Sequence, residues 1–440
     1  MTDTERLTYR QAVGALTERG RFGVSMGLER VERLMAEVGH PEQELRGALV
    51  GGTNGKGSVV AMTRSVLVAA GHRVGTMPKP HLVSYRERVA IDGEPIGPQE
   101  FAAAIQRILP AIDNVAASVG PPTEFEALTA AAIGELARRR VDLAIVEVGM
   151  GGRLDATNVL DLDVAVITNV QHDHEAYLGN TLAAIAREKA AIIKGHNVAV
   201  SGASGRSLRP IQDRCDDVGA SLRRVGPHQP SRATLRHLDW DGIVLDVETP
   251  SRELAELRVG LLGAHQADNA AVVFALLDAL SERHGITADE SSVRRGLADV
   301  RWPGRLELLD GRRIGLGRVL LDGAHNPAGA EALTRALRDL GLQRPTIVFG
   351  AMRAKRVHAV LRALAPLEPR FIFTRVEDSG AHEPDHLARI WRRVSGTSGE
   401  VAPTPADAMR RADGDPVVVA GSLYLVGAVR GMITGTSEED

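Results

Sequence analysis

The chain has 440 residues, enough for two or three hydrophobic cores rather than one. Its 53 basic and 56 acidic residues leave a net charge of −3 and aromatics make up 3%, which speaks against nucleic-acid partners, base-stacking platforms and a membrane surface. One cysteine, Cys215, excludes an internal disulfide, no apolar run is long enough to span a bilayer, and the polar start Met1 to Arg6 leads into no signal-peptide core, so a soluble cytoplasmic protein is expected.

In chain order, the first informative element is an apolar run, Ala48-Leu49-Val50, followed by Gly51-Gly52-Thr53-Asn54-Gly55-Lys56-Gly57-Ser58 and a helical stretch from Val59 to Ala70. A strand, a glycine-rich turn with one lysine and a helix make a phosphate cradle. Backbone N–H groups approach the phosphates where there is no Cβ, and the helix N-terminus and Lys56 add positive charge. The loop departs from the strict G-x-x-x-x-G-K-[ST] pattern, because Gly57 follows Lys56 and the hydroxyl comes one place later, at Ser58. A bound nucleoside triphosphate is the expectation; a plain glycine-rich turn with a solvated lysine is the alternative.

The next predicted strand, Leu143–Val146, ends in Glu147 and a second glycine cluster, Gly149-Met150-Gly151-Gly152. A carboxylate at a strand's C-terminal end stands where doubly wound sheets place ligands and suits Mg²⁺, which prefers oxygen. Val164–Ile167 ends in Thr168-Asn169-Val170-Gln171-His172-Asp173-His174, a weaker pointer to metal or phosphate contact. Val198–Val200 is a further strand, and helical segments run from Ala127 to Arg139 and from Leu182 to Ile193. On periodicity alone Lys189 is a surface lysine on the second of these. Buried strands alternating with helices predict a parallel α/β sheet.

From about Pro227 to Leu257 the texture changes, and Arg236–Leu245 reads as a hairpin turning at Asp241-Gly242. A second α/β series follows Trp302-Pro303-Gly304-Arg305, with strands at Val319–Leu321, Thr346–Phe349, Phe371–Phe373 and Val417–Val419. Asp322-Gly323-Ala324-His325-Asn326-Pro327 and Gly421-Ser422-Leu423-Tyr424 are polar loops after two of them, the first leading into a helix from Ala328 to Leu340. The domain boundary is expected near residue 300, giving units 1–299 and 300–440. The tail from Thr434 to Asp440 reads as frayed.

Together these blocks resemble one family: the folylpolyglutamate synthase and dihydrofolate synthase branch of the Mur ligases. The likeness runs from about Gly27 almost to the C-terminus. It adds Pro80-His81-Leu82 with Glu87-Arg88-Val89, Thr123-Glu124-Phe125-Glu126, Leu154-Asp155-Ala156, Glu188-Lys189-Ala190, Gly263-Ala264-His265-Gln266 and Asn269-Ala270 to the loops above. In this branch Gly and then Ser follow the loop lysine, which accounts for the displaced hydroxyl.

The resemblance implies a P-loop parallel-sheet ATPase domain with a smaller Rossmann-like α/β C-terminal domain. It implies an ADP-forming ligase that joins L-glutamate to dihydropteroate or a folate through an acyl phosphate. Thr53 to Ser58 would cradle ATP, with Asn269, Arg305 and Asp322 as further nucleotide contacts. Ser58, Glu147 and His174 would hold Mg²⁺, with a monovalent cation also in keeping. Lys189 would be carbamylated by CO₂, and Lys56, Lys189 and His174 would serve the chemistry. Thr123, Phe125, Glu126, Leu154, Asp155 and Ala156 would form the pterin-side pocket, and His325 and Ser422 would hold glutamate. The partners would be small molecules only, with no nucleic acid and no membrane, and the chain a monomer.

One position departs from the family. Its members have Ser before Pro-His-Leu, a magnesium ligand, whereas this chain has Lys79. An ammonium cannot ligate a cation. Either Lys79, counted among the substrate-binding residues, supplies positive charge where a metal ion otherwise would and contacts phosphate directly, or it turns to solvent and the metal keeps a water instead. The runner-up function is a paralogous ligase acting on a different carboxylate; a nucleotide-binding switch is a third.

Overall fold

The computed structural model describes residues 6–20, 27–376 and 378–436. The start of the chain up to Glu5 and the tail from Ser437 onward, both read above from sequence, lie outside the described residues.

The first half is built on an eight-stranded sheet: β1 (Gly47–Gly51), β2 (Val74–Met77), β3 (Ala90–Ile91), β4 (Glu94–Pro95), β5 (Leu143–Glu147), β6 (Asp163–Ile167), β7 (Val198–Ser201) and β8 (Ser221–Arg224), in the order β4-β3-β2-β5-β1-β6-β7-β8. From β2 to β8 the pairs are parallel; β3 and β4 add an antiparallel edge. Successive side chains point to opposite faces. Leu49, Val146 and Ala165 enter one core, while Val50, Ile145 and Val166 enter the other. Helices cover both faces, which is why these strands read as continuous apolar runs.

Three strands stand apart: β9 (Arg232–Asp239), β10 (Gly242–Thr249) and β11 (Arg252–Val259), an antiparallel meander in the order β11-β10-β9. The expected hairpin is therefore its first two strands. Its turn is Trp240-Asp241, because Gly242 already pairs with Asp239. Ile243, Leu245 and Val247 of β10 pack with Phe274 of the helix Gln266–His284, tying the meander to the large sheet.

The second sheet has β12 (Glu307–Asp310), β13 (Arg318–Leu321), β14 (Thr346–Phe349), β15 (Arg370–Thr374), β16 (Glu400–Ala402) and β17 (Val417–Ala420), in the order β12-β13-β17-β14-β15-β16. All pairs are parallel except β12 with β13. Two apolar cores flank it, one around Phe349, Phe371 and Phe373, the other around Val319, Val348 and Val419.

The two halves meet by close approach. A Cβ at Gly427, in the helix Leu423–Thr434, would lie 1.8 Å from the carbonyl oxygen of Leu82, so only glycine admits that backbone. Among the described residues no helix is long and apolar enough to cross a membrane.

Candidate active site

Parallel registry aligns the C-terminal ends of four neighbouring strands. Val50 of β1 pairs with Glu147 of β5, Gly51 with Ile167 of β6, and Met77 of β2 with Val146. The loops after these strands therefore share one edge, the place where open α/β sheets bind ligands. The loops after β13, β14 and β17 face them across a cavity of about 570 Å³.

The cradle is the loop after β1. Gly52 and Gly55 have φ of 136° and 82°, values that favour glycine. The helix Lys56–Ala69 starts immediately after, aiming its N-terminal N–H groups at the cavity. Neighbouring loops brace it: Thr168 Oγ1 donates to Asn54 O at 2.6 Å, Asn169 Oδ1 accepts from Asn54 N at 3.0 Å, and Thr53 Oγ1 accepts from Gln171 N at 3.0 Å. A Cβ at Gly57 would lie 2.5 Å from the Trp302 ring, so the indole of the interdomain linker rests on this glycine. That contact is the local reason why position 57 carries no side chain. Asn269 presses on the loop in the same way, at Gly55.

Three lysines enter the cavity from the first half of the chain. Lys56 Nζ donates to Gly52 O (3.3 Å) and Thr53 O (3.1 Å) and lies 4.0 Å from Glu147. Lys189, expected on periodicity at the surface, is 4% exposed and donates to Gly52 O at 2.9 Å. Burial first, and then the charge of Lys56, push its pKa down to about 7. Lys79 Nζ lies 3.3 Å from the centroid of the Phe125 ring and 3.9 Å from Asp155, and burial first lowers its pKa to about 8. Burial acts on Glu147 in the opposite sense and raises its pKa, against the charges of Lys56, Arg305 and Lys79.

Mg²⁺ takes one or two protein carboxylates and completes its shell with phosphate and water. Glu147 and the Ser58 hydroxyl, both buried and both lining the cavity beside the cradle, fit that demand. The described residues contain no group of three or more His, Cys, Asp or Glu side chains that would hold a metal without such help. His174 lines the same cavity; burial lowers its pKa, opposed by Asp173 at 3.9 Å.

Across the cavity, Asp322 accepts from Leu306 N and Ala324 N, both at 2.9 Å, and Arg305 is its counter-charge. His325 Nδ1 donates to Gly323 O at 2.8 Å; burial, then Lys355, hold its pKa near 4. Ser422 caps the helix Leu423–Thr434, its Oγ accepting from Tyr424 N at 3.2 Å. Asn326 caps the helix Pro327–Asp339 through Gly329 N. Its amide also donates to Asp173 at 3.0 Å and to Asn54 at 3.3 Å, and Lys355 lies 3.4 Å from Asp173. Asp173 thus joins the two halves. Burial raises its pKa, but Lys355, His174 and His325 together hold it well below the usual carboxylate range.

The cavity therefore gathers residues 53–58 with Lys79, Glu147, His174, Lys189, Asn269, Arg305, Asp322, His325 and Ser422. It does not gather Thr123, Phe125, Glu126, Leu154, Asp155 or Ala156 in its lining. Thr123 and Glu126 form a capping box at the start of the helix Glu124–Arg138, and Glu126 pairs with Arg30 at 2.8 Å. The signal for that was present as Thr-x-x-Glu before an apolar run. Phe125 and Asp155 instead stand behind the cavity wall against Lys79. Sequence reasoning missed Lys355 and the bracing by Asn169 and Gln171, while His172 turns away to Glu175.

The model of the Mur ligase middle domain matches residues 50–277, and that of the Mur ligase glutamate ligase domain matches residues 304–423. The dihydrofolate synthase/folylpolyglutamate synthase of Bacillus subtilis is 32% identical over 432 residues, covering 96% of this chain and 98% of the relative. The chain belongs to the folylpolyglutamate synthase/dihydrofolate synthase branch of the Mur ligases. A probable bifunctional folylpolyglutamate synthase/dihydropteroate synthase of Haloferax volcanii is 34% identical across 96% of this chain, which spans only 50% of that protein. Among solved structures, the bifunctional folylpolyglutamate synthase/dihydrofolate synthase of Yersinia pestis, complexed with AMPPNP and a Mn ion, superposes with a TM-score of 0.83 at 27% identity, covering 99% of this chain and 100% of that one. The Mur ligase fold expected from the sequence, a P-loop α/β unit followed by a smaller α/β unit, is the fold observed.

Proposed function

We propose that this chain is an ATP-dependent, ADP-forming ligase that joins L-glutamate to dihydropteroate and to the terminal carboxylate of folyl-glutamates. The observation that carries this reading is the single cavity lined by Lys56 and Glu147 from one sheet and by Arg305, Asp322, His325 and Ser422 from the other. The names of the Bacillus and Yersinia relatives support the substrates. Residues 1–299 form the ATP-binding unit and residues 300–440 the glutamate-ligase unit.

An acceptor carboxylate oxygen attacks the γ-phosphorus of ATP. The bond from that phosphorus to the ADP oxygen breaks, leaving an acyl phosphate and ADP. The glutamate amine then attacks the acyl carbon, the tetrahedral intermediate expels inorganic phosphate, and the nitrogen loses a proton, leaving the amide. Residues 53–58 bind the triphosphate, with Asn269, Arg305 and Asp322 as further contacts. A divalent metal would be held by Ser58, Glu147 and His174 and would supply charge neutralisation. His325 and Ser422 orient glutamate. Thr123 and Glu126 fix the helix that presents Phe125, and with Leu154 to Ala156 this wall carries the pterin side. The two facing edges exclude water that would otherwise hydrolyse the acyl phosphate. The enzyme works as a monomer in a reducing cytosol, which suits Cys215, buried with its thiol pKa raised by burial to about 11.

Lys189 is carbamylated in this reading: the neutral amine attacks CO₂ and releases a proton. Its burial and a pKa near 7 support the step, because much of the amine is unprotonated at neutral pH. A carbamate resonance in ¹³CO₂-labelled protein, absent from Lys189→Met, is the expected signature; identical spectra would exclude it.

The deciding assay offers dihydropteroate and tetrahydrofolate separately to the purified chain with ATP, Mg²⁺ and glutamate. Glutamylated product and ADP are expected in equal amounts from both. Product from one alone would reduce the reading to a single activity, and product from neither would refute it.

A further inference from the structure

Lys79 is the feature that the proposed chemistry has not used. It follows β2 by two residues, lines the cavity, and its side chain is 10% exposed. Its ammonium has no hydrogen-bond partner among the described residues. The nearby groups are already engaged. Asp155, 3.9 Å away, accepts from Met150 N (2.8 Å), Thr157 N (3.0 Å) and Thr157 Oγ1 (2.5 Å). Glu147 accepts from the Lys79 backbone N at 3.3 Å and faces Lys56. Phe125 offers a ring face at 3.3 Å, which steadies a cation without taking up its directional donors.

Gly149 keeps this position open. A Cβ there would lie 2.9 Å from Lys79 Nζ, 2.8 Å from Asp155 and 3.2 Å from Phe125. The contrast with the other two lysines is direct: Lys56 donates to two carbonyls and Lys189 to one, whereas Lys79 donates to none. A buried ammonium with three free donors is costly unless an anion completes it.

We propose that Lys79 is the fixed cation that binds the reacting carboxylate of the acceptor and stays on its oxygens as the acyl phosphate forms. Its place against Phe125 and Asp155, on the side that the proposed function gives to the pterin, rather than among the cradle glycines, assigns it to the acceptor and not to the nucleotide. The inference rests on the ligase reading above.

The test uses the full chain with Lys79→Met and Lys79→Arg. AMPPNP affinity is measured by calorimetry, acceptor affinity by the same method with AMPPNP bound, and KM and kcat by ADP release. For Lys79→Met, unchanged melting, AMPPNP affinity within twofold, acceptor affinity at least tenfold weaker and a lowered kcat are expected, with part of the loss recovered in Lys79→Arg. Acceptor affinity and kcat within twofold of the parent would overturn the proposal while leaving the ligase reading intact. A tenfold loss of AMPPNP affinity with acceptor binding unchanged would overturn it in favour of a nucleotide contact. A parent protein that ligates neither acceptor would overturn both. Should Lys79→Met fail to fold, Lys79→Gln carries the same comparison.

Discussion

Lys56 and Ser422 stand on facing edges of one cavity and meet it in different ways. The first edge brings in buried charge: Lys56, Lys79, Lys189 and Glu147 project from strand ends or a packed helix, and their loops are braced by other residues such as Thr168 and Asn169. On the second edge, Asp322, Asn326 and Ser422 hold their own loops and helix caps. That edge therefore offers backbone N–H groups at two helix starts, with Arg305 and Lys355 among its side-chain cations. On the proposed function, one edge stabilises charge that moves and the other holds a ligand still. Charged groups held out of water act most strongly where charge develops.

The sharpest way to break that contrast is Lys56→Met. Turnover should fall by about 100- to 1000-fold, as for loss of a preorganised transition-state contact, with the circular dichroism spectrum and melting temperature unchanged. ADP release under saturating substrates measures it; a loss below tenfold would mean that the first edge does not carry the chemistry. Next comes Gly57→Ala, which drives a methyl into the Trp302 ring. Overpacking of this kind costs about 1–3 kcal/mol, read by urea denaturation, and the added change Trp302→Ala should return part of it. Additive losses would show that the two residues are not in contact. The smallest effect is expected for Ser422→Ala, which removes a helix cap worth about 1 kcal/mol and should lower kcat less than tenfold. A loss matching that of Lys56→Met would show the hydroxyl acting in the chemical step rather than only holding glutamate, and the contrast between the edges would collapse.

Much of the first edge was legible because its signals are local. A strand, a glycine-lysine turn and a helix are contiguous, and so are β5 and Glu147. β2 was missed because Val-Gly-Thr-Met is short and only half apolar, so it presents no apolar run. The resting place of Trp302 on Gly57 joins residues far apart in sequence and has no local signal. Lys189 shows the limit most directly: a nine-residue helix with charged neighbours reads as a surface, yet the ammonium is turned beneath the cradle onto the Gly52 carbonyl. The bridge from Asp173 to Asn326 and Lys355 was equally invisible, since it depends on how two sheets face each other. At Thr123 to Glu126 the family resemblance drew attention to a pocket, while the residues themselves spelled a helix start.

The contact between Leu82 and Gly427 has a genetic consequence. One partner is a main-chain carbonyl, which every amino acid supplies. The other is an absent side chain, which only one amino acid supplies. Position 82 is thus free to change as far as this contact is concerned, while position 427 is fixed. A census of tolerated variants should find position 427 confined to glycine.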